Sequence, residues 1–367
     1  MSRRTWTAQI DYGLLALVLL LSAMGLVVLW SAGHGPEGEV AGYAARQVRW
    51  MAVGIAAMLA ALALDYRHLE RWAAHIYLIH LALLVAVLLT GQASMGAQRW
   101  LPVGPLRFQP SEFMKVAMAV MAAHLLSREA GAPPHGLRQL WKPALATALP
   151  TGLILIQPDL GTALLVGAVG AGVILFQGLR RRILASLGIA VLALAPVAWG
   201  LLHDYQRARI LTFLNPERDP LGAGYHIIQS KIAVGSGQLL GKGFLQGTQV
   251  RLQFLPERHT DFIFSVLAEE WGLVGCATVL FLYALLLLWG IDIAAKARDP
   301  FGRLLAIGVT SILFFHVAVN VGMVSGMLPV VGVPLPLFSY GGSSVLTTYV
   351  IAGILLSIRA RRFSRGL

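Results

Sequence analysis

The chain holds a single cysteine, Cys276, set in an apolar stretch. Without a second thiol there is no disulfide framework, and the redox compartment leaves no mark on the sequence. Metal-ligand patterns are missing too. Among ten histidines there is no HExxH and no paired Cys/His spacing, which argues against a zinc enzyme. No internal repeat of fixed period and no low-complexity tract occurs. Gly235-Ser236-Gly237-Gln238-Leu239-Leu240-Gly241-Lys242-Gly243 hints at a phosphate loop, but five residues separate Gly235 from Gly241 where the motif needs four. Gly243 also stands where a hydroxyl would hold magnesium, so a nucleotide site is excluded. Charge is scarce, at 13% of the 367 residues, with only 17 acidic residues against 29 basic ones.

What the chain has in abundance is apolar length. Hydrophobic residues make up 57% of it, a membrane composition. A helix needs about 20 mainly apolar residues to span a bilayer. Ten stretches qualify as candidates: 11–30, 47–64, 73–90, 112–126, 143–157, 160–177, 183–202, 262–290, 303–326 and 343–358. The expected fold is therefore an all-α integral membrane protein of about ten transmembrane helices, one polytopic domain over 1–367, with a large extracytoplasmic loop, 203–261, between helices seven and eight. The first stretch lacks a convincing cleavage pattern and reads as a retained helix. The net charge of +12 would suit nucleic acid if it were clustered, but it alternates. Seventeen basic residues (Arg3, Arg4, Arg67, Arg71, Arg128, Arg138, Lys142, Arg180 to Arg182, Lys296, Arg298, Arg303, Arg359, Arg361, Arg362 and Arg365) fall on one side. Only Arg46, Arg49, Arg99 and Arg107 fall in the short loops opposite. The asymmetry predicts both termini in the cytoplasm of a multi-pass protein of the bacterial cytoplasmic membrane, and no nucleic-acid partner.

Polar residues gather where the helices break. Loop 203–261 is too long to be a plain connection in a compact bundle, and such loops are usually functional. Within it Ile227, Ile228, Ile232 and Val234 form an apolar stripe that predicts a short helix at the interface or dipping into the bundle. The loop ends on Leu255-Pro256-Glu257-Arg258-His259-Thr260-Asp261-Phe262, which sets Asp261 at the mouth of the next span beside Glu257, Arg258 and His259. Residue type alone leaves two readings for Asp261: a cap on the following helix, or a group that performs chemistry. Spans five and six meet at Gln157-Pro158-Asp159-Leu160-Gly161-Thr162. Span five has 15 residues, roughly 22 Å of helix against a ~30 Å core, so Asp159 is expected below the outer surface. There it caps helix six, or faces a cation, or does both. Gln109-Pro110-Ser111-Glu112 opens span four, and Glu112 and Lys115 share one helical face. An unpaired ammonium at that depth is costly, so the two are expected to pair, with Asp159 a candidate third member. Arg99-Trp100 follows span three as a candidate phosphate contact beside an interfacial anchor. Pro334 to Ser344, ending Ser339-Tyr340-Gly341-Gly342-Ser343-Ser344, forces irregular backbone, which a membrane tolerates only where it lines protein or a wet cavity.

With these motifs the chain resembles the SEDS family of bacterial cell-wall proteins along essentially its whole length, and that family's RodA branch more than its FtsW branch. The most specific stretches are Asn215-Pro216-Glu217-Arg218-Asp219-Pro220, Gly224-Tyr225-His226-Ile227-Ile228-Gln229-Ser230 and the run through Asp261. Arg258 before His259, and Glu269-Glu270-Trp271-Gly272, look RodA-like. The resemblance implies a ten-helix fold and peptidoglycan glycosyltransfer on the outer membrane face. Lipid II is the implied substrate, a class B penicillin-binding protein the implied transpeptidase partner, and Asp261 the implied catalytic residue. Arg99, Trp100, Glu112, Lys115 and Asp159 fall on family motif positions.

The chemistry suits one acid. Converting an α-linked sugar diphosphate into a β-linked glycan inverts the anomeric centre, so one base must take the proton of the acceptor 4-hydroxyl. Diphosphate leaves without a carboxylic acid to protonate it, but it needs cationic stabilisation. Arg99, Lys115, Lys242 and Arg258 are candidates, and a divalent cation is another source of that charge; Asp261 and Glu257 ligating Mg2+ or Mn2+, rather than Asp261 acting as base, is a third reading of these acids. The competing class is a flippase for the same polyprenyl precursor, which needs polar groups along a path joining both faces. Glu112, Lys115, Asp159 and Asp261 cluster toward the outer half instead. A third class, a non-enzymatic scaffold, predicts that the loop acids matter little.

Overall fold

The computed structural model describes residues 10–34, 42–94, 97–103, 106–129, 134, 136–201, 204–219, 222–252, 254–255 and 257–362. Arg3, Arg4 and Arg365 of the basic pattern, and Pro220 and Pro256 of the loop motifs, lie outside the described residues. The chain folds into thirteen described helices: α1 (Tyr12–Ala32), α2 (Tyr43–Ala63), α3 (Tyr66–Thr90), α4 (Pro110–Ser127), α5 (Leu137–Ile156), α6 (Leu160–Phe176), α7 (Arg181–Leu201), α8 (Asp204–Leu214), α9 (Ala223–Ser236), α10 (Thr248–Arg251), α11 (Ile263–Ala295), α12 (Pro300–Val324) and α13 (Gly342–Ala360). Every apolar stretch read from the sequence coincides with one of the long helices α1–α7 and α11–α13. By length and composition α1, α3, α11, α12 and α13 suffice to cross a membrane.

The helix starts follow capping rules. Asp11, Asp65 and Asp299 accept backbone N–H groups from Leu14, Arg67 and Gly302, and Pro110 and Pro300 occupy first turns where no N–H is needed. At the centre, α4 packs against α3, α6 and α12. Close approach rests on small residues, as expected where lipid supplies no hydrophobic drive. A Cβ on Gly308 of α12 would sit 2.8 Å from that of Ala119 on α4. At the end away from loop 203–261, Arg359 pairs with Asp11 at 3.2 Å and Asp292 at 3.0 Å, tying α13 to α1 and α11. Arg361 donates to the Leu62 and Ala63 carbonyls at the end of α2.

Three expectations need correction. Between α3 and α4 the chain is not plain loop but a small antiparallel sheet in the order β1 (Gln92–Ser94), β2 (Ala97–Val103), β3 (Leu106–Phe108). Arg99 and Trp100 lie on β2, so a strand rather than a mobile loop orients them. Span five was read five residues too short: α5 has 20 residues, about 30 Å, because it carries both Pro143 and Pro150 within its helix. The burial of Asp159 therefore does not come from a short helix. Loop 203–261 is itself largely helical, with α8, α9, α10 and a 3-10 turn at Pro216–Arg218.

The short helix expected from the isoleucines is α9, but its packed face is shifted. Ile227, Ser230 and Ala233 are buried while Ile232 is exposed. Ser230 Oγ donates to the Val324 carbonyl at 2.7 Å and meets Ser265 Oγ at 2.9 Å, which seats α9 on α11 and α12. The segment after α9 closes on a break in α11. Gly272 has φ 62° there, open to glycine at little cost, and a side chain would run into the Leu239 carbonyl. The amides of Lys242 and Gly243 donate to the Glu269 and Glu270 carbonyls, and those of Leu273 and Val274 to Gln238 and Leu239. The glycines that imitate a phosphate loop thus serve backbone pairing.

Candidate active site

Glu257 opens a tight turn with φ 51°. Its carbonyl accepts from the amides of Thr260 at 3.0 Å and Phe262 at 3.3 Å, and its carboxylate from Thr260 Oγ1 at 3.0 Å. That turn delivers Asp261 to the rim of α11. The residue at the N-cap is Phe262 and no side chain caps this helix, so the capping reading of Asp261 fails. Its carboxylate faces a cavity of about 970 Å³.

The cavity gathers residues from distant parts of the chain. Arg46, Arg49 and Trp50 enter from α2, Arg99 and Trp100 from β2, Glu112 from α4, and Thr162 from α6. Glu257, His259, Thr260 and Asp261 come from the loop, and Gly332, Pro334 and Tyr340 to Ser344 from the segment between α12 and α13. Irregular backbone before α13 lines the cavity, as its prolines and glycines implied.

Burial pushes the Asp261 carboxyl up to about 6, and Glu257 adds to the rise, while Arg99 and Arg209 pull it down and Asp159 opposes them. A carboxylate poised there is ionised at neutral pH yet basic enough to accept a proton. His259 stacks on Tyr43 with ring centroids 4.1 Å apart and lies under Tyr340. Burial, opposed by Glu257, lowers its pKa, so the ring is neutral at pH 7 and serves as wall. Arg46 sits over the rings of Tyr43 and Tyr340.

Asp159 does two things at once. It caps α6 through the amide and hydroxyl of Thr162, at 3.2 and 2.9 Å, and it holds Arg99 Nε at 3.5 Å. Arg99, about a quarter exposed, turns its other face to the cavity. Glu112 and Lys115 pair as expected, Nζ to Oε1 at 2.8 Å, but Asp159 is not their third member. That place belongs to His316 on α12, whose Nε2 lies 2.7 Å from Lys115 Nζ while Nδ1 meets the Pro334 carbonyl at 3.0 Å. Lys115 is wholly buried and does not line the cavity; it lies behind Glu112, which does.

Two candidates lie elsewhere. Lys242 is held by buried Glu269 at 2.7 Å and by Thr248 at 2.8 Å, beside the α11 break. Arg258 turns away and donates to the Ala32 carbonyl at the end of α1. Neither lines the cavity. The reason is local: buried Glu269 needs a cation more than the open cavity does. Sequence reasoning missed Arg46 and Arg49 as site residues, having counted them only as sparse outer charges. It also missed His316 and Asn320. The available signal was two polar residues four apart in the apolar run Phe314-Phe315-His316-Val317-Ala318-Val319-Asn320, which places them on one buried face. Among the described residues no group of three or more His, Cys, Asp or Glu side chains stands arranged to hold a metal.

The fold and the site together define an all-α integral membrane protein with a charged cavity at the rim of its helices. Residues 12–363 match the profile of the FtsW/RodA/SpoVE family, described as cell cycle proteins. The chain is 48% identical over 355 residues to the peptidoglycan glycosyltransferase MrdB of Escherichia coli K12, covering 96% of this chain and 94% of the relative. It is 35% identical to the peptidoglycan glycosyltransferase RodA of Treponema pallidum, covering 97% and 98%. Among solved structures it is similar to a chain from a study of polymerization and crosslinking by a peptidoglycan synthase complex, with TM-score 0.83, 35% identity and coverage of 97% and 99%. The rod shape determining protein RodA of Thermus thermophilus gives TM-score 0.73 at 32% identity, covering 97% and 98%. The chain belongs to the FtsW/RodA/SpoVE family of multi-pass membrane peptidoglycan glycosyltransferases.

Proposed function

We propose that this chain polymerises lipid II into β-1,4-linked glycan on the outer face of the bacterial cytoplasmic membrane, with Asp261 as the general base. The observation that carries this reading is the cavity that gathers Asp261, Arg99, Arg46 and Arg49 in one chamber of about 970 Å³. Asp261 takes the proton of the acceptor GlcNAc 4-hydroxyl as that oxygen attacks C1 of the donor sugar. The C1–O bond to diphosphate breaks with inversion, and the electron pair leaves with the polyprenyl diphosphate. General-base assistance of this kind contributes about 10²- to 10⁴-fold. The guanidinium groups of Arg99, Arg46 and Arg49 take up the charge that develops on the leaving group. Arg99 is already oriented by Asp159, so little reorganisation accompanies the reaction. Trp100 and Trp50 give sugar rings an apolar wall.

A divalent cation, Mg2+ or Mn2+, is the alternative use of the same carboxylates: Glu257 and Asp261 would hold it together with substrate phosphates, and Asp261 would then be a ligand in place of a base. It would supply charge neutralisation at the diphosphate. The topology that goes with this reading is ten spans, both termini cytoplasmic, and the region 203–261 outside, with a class B penicillin-binding protein as the partner that crosslinks the product.

The test is purified protein with that partner, given labelled lipid II, with products resolved by size. The wild type gives a ladder of glycan, and Asp261→Asn, folded and still bound to its partner, gives none. Full polymer from Asp261→Asn removes the general-base role; translocation without polymer from the wild type supports the flippase.

A further inference from the structure

Three consecutive backbone carbonyls carry Asp261, and each is held by a different group. The His259 carbonyl accepts from the Tyr340 amide at 2.8 Å. The Thr260 carbonyl accepts from Ser339 Oγ at 2.6 Å. The Asp261 carbonyl accepts from Asn320 Nδ2 at 2.9 Å. Asn320 has no exposed surface, and the same amide nitrogen also donates to the Val333 carbonyl at 2.7 Å. One buried side-chain amide near the end of α12 therefore joins the two irregular segments that line the cavity side by side.

The Tyr340 amide and Ser339 Oγ tie those segments together at His259 and Thr260, and Asn320 adds the tie at Asp261 itself. The turn at Glu257 to Phe262 satisfies its own amides but leaves the carbonyls of residues 259 to 261 pointing outward. A buried carbonyl without a donor costs free energy comparable to a lost hydrogen bond. On the facing side, Gly332 has φ 72°, and a Cβ there would sit 3.2 Å from Asp261 Oδ2. The carboxylate thus lies against bare backbone, and Asn320 is the group that bonds both its own carbonyl and that of Val333, next to Gly332. Four residues earlier on α12, His316 holds the next carbonyl, Pro334. A polar amide is expensive in a membrane helix and persists where it satisfies backbone that would otherwise be orphaned.

We infer that Asn320 is the positioning residue for the general base: its amide clamps the Asp261 carbonyl to the Val333 carbonyl and so aims the Asp261 carboxylate into the cavity. It touches neither substrate nor reacting atoms and acts only through Asp261. The inference rests on the proposed role of Asp261. Catalytic geometry is steep in distance, and a misplacement of about 1 Å costs on the order of 10²-fold in rate.

The experiment is a kinetic series on full-length protein with its transpeptidase partner, using labelled lipid II. Asn320→Leu keeps the volume and removes both N–H donors. Its kcat is expected to fall on the order of 10²-fold with KM for lipid II little changed, because the binding cations are untouched. The split between kcat and KM supplies the readout, since general loosening of the chamber moves both. Ser339→Ala, which removes the neighbouring pin on Thr260, is expected to lower kcat by less, again with KM little changed, and Asn320→Gln, which keeps an amide donor, stands in if Asn320→Leu does not fold and is expected to lower kcat less than Asn320→Leu. Asp261→Asn runs beside them. If Asp261→Asn keeps wild-type rate, the general-base reading falls. If Asp261→Asn is dead while Asn320→Leu or its stand-in keeps the wild-type kcat, the positioning role alone is overturned. A rise in KM with kcat intact overturns it equally.

Discussion

A carboxylate is useful as a base only where its surroundings hold its affinity for protons near the working pH. Asp261 meets that condition through burial first and the neighbouring Glu257 second, with Arg99 and Arg209 keeping it ionised at neutrality. Polymerisation should therefore decline as pH falls through about 6, with the limb absent from Asp261→Asn, whose rate is expected to be lower by at least about 10²-fold. The same shift has a stability side. Between the ordinary carboxylate value and about 6 the folded chain binds more proton than the unfolded one, so acidification through that window favours folding. Above it the ionised group works against the fold. Asp261→Asn should accordingly melt no lower than the wild type at pH 7.5, and a clear drop in Tm would show that the carboxylate is structural. Lys242 makes the opposite case. Sequence put it among the phosphate contacts, whereas its ammonium neutralises buried Glu269. Lys242→Ala should lower Tm, because it strands a carboxylate out of water, and leave KM for lipid II unchanged.

At the scale of elements, α4 and α12 are joined through their least apolar residues. Lys115 reaches Glu112 on its own helix and His316 on the neighbour. Breaking such a buried pair from one side costs about 3–5 kcal/mol, whereas removing both charges together is far milder. Lys115→Met and Glu112→Gln should each lower thermal stability and activity, and the double variant should recover part of the lost stability. Strictly additive losses in a double-mutant cycle would show that the two do not couple. Much of this level was legible from the chain. Ten helices were visible as apolar length, and the Glu112/Lys115 spacing announced a pair because only residues three or four apart share a helical face. The sheet that carries Arg99 and Trp100 was hidden, since strands of three to seven residues leave little pattern. So was His316, because pairing between helices depends on their relative rotation, which sequence spacing does not encode.

Viewed whole, the molecule separates two faces. Loop helices α8 to α10 and the cavity lie toward one end of the bundle, and the Arg359 pairs with Asp11 and Asp292 close the other. The proposed topology is open to direct test, because the single cysteine is buried and can stay in place. In intact spheroplasts, Glu217→Cys, exposed after α8, should react with a membrane-impermeant maleimide, and Arg298→Cys, between α11 and α12, only after lysis. The reverse pattern would invert the protein and move the chamber to the cytoplasm. The charge asymmetry bears on this level because it acts on how loops cross a membrane, which depends on sequence before any tertiary structure exists. Which residues the cavity collects does not, since α2, β2 and the segment before α13 meet only once the helices have packed.

The floor beneath that chamber has a consequence of its own. A synthase exposed to one compartment of an energised cell sits across a voltage, and any hydrated thread through its middle would drain the proton gradient that the cell spends elsewhere. Beyond Lys115, locked between an acid and an imidazole with no accessible surface, α4 runs apolar from Val116 to Ala123, so the polar lining of the chamber does not continue down that helix.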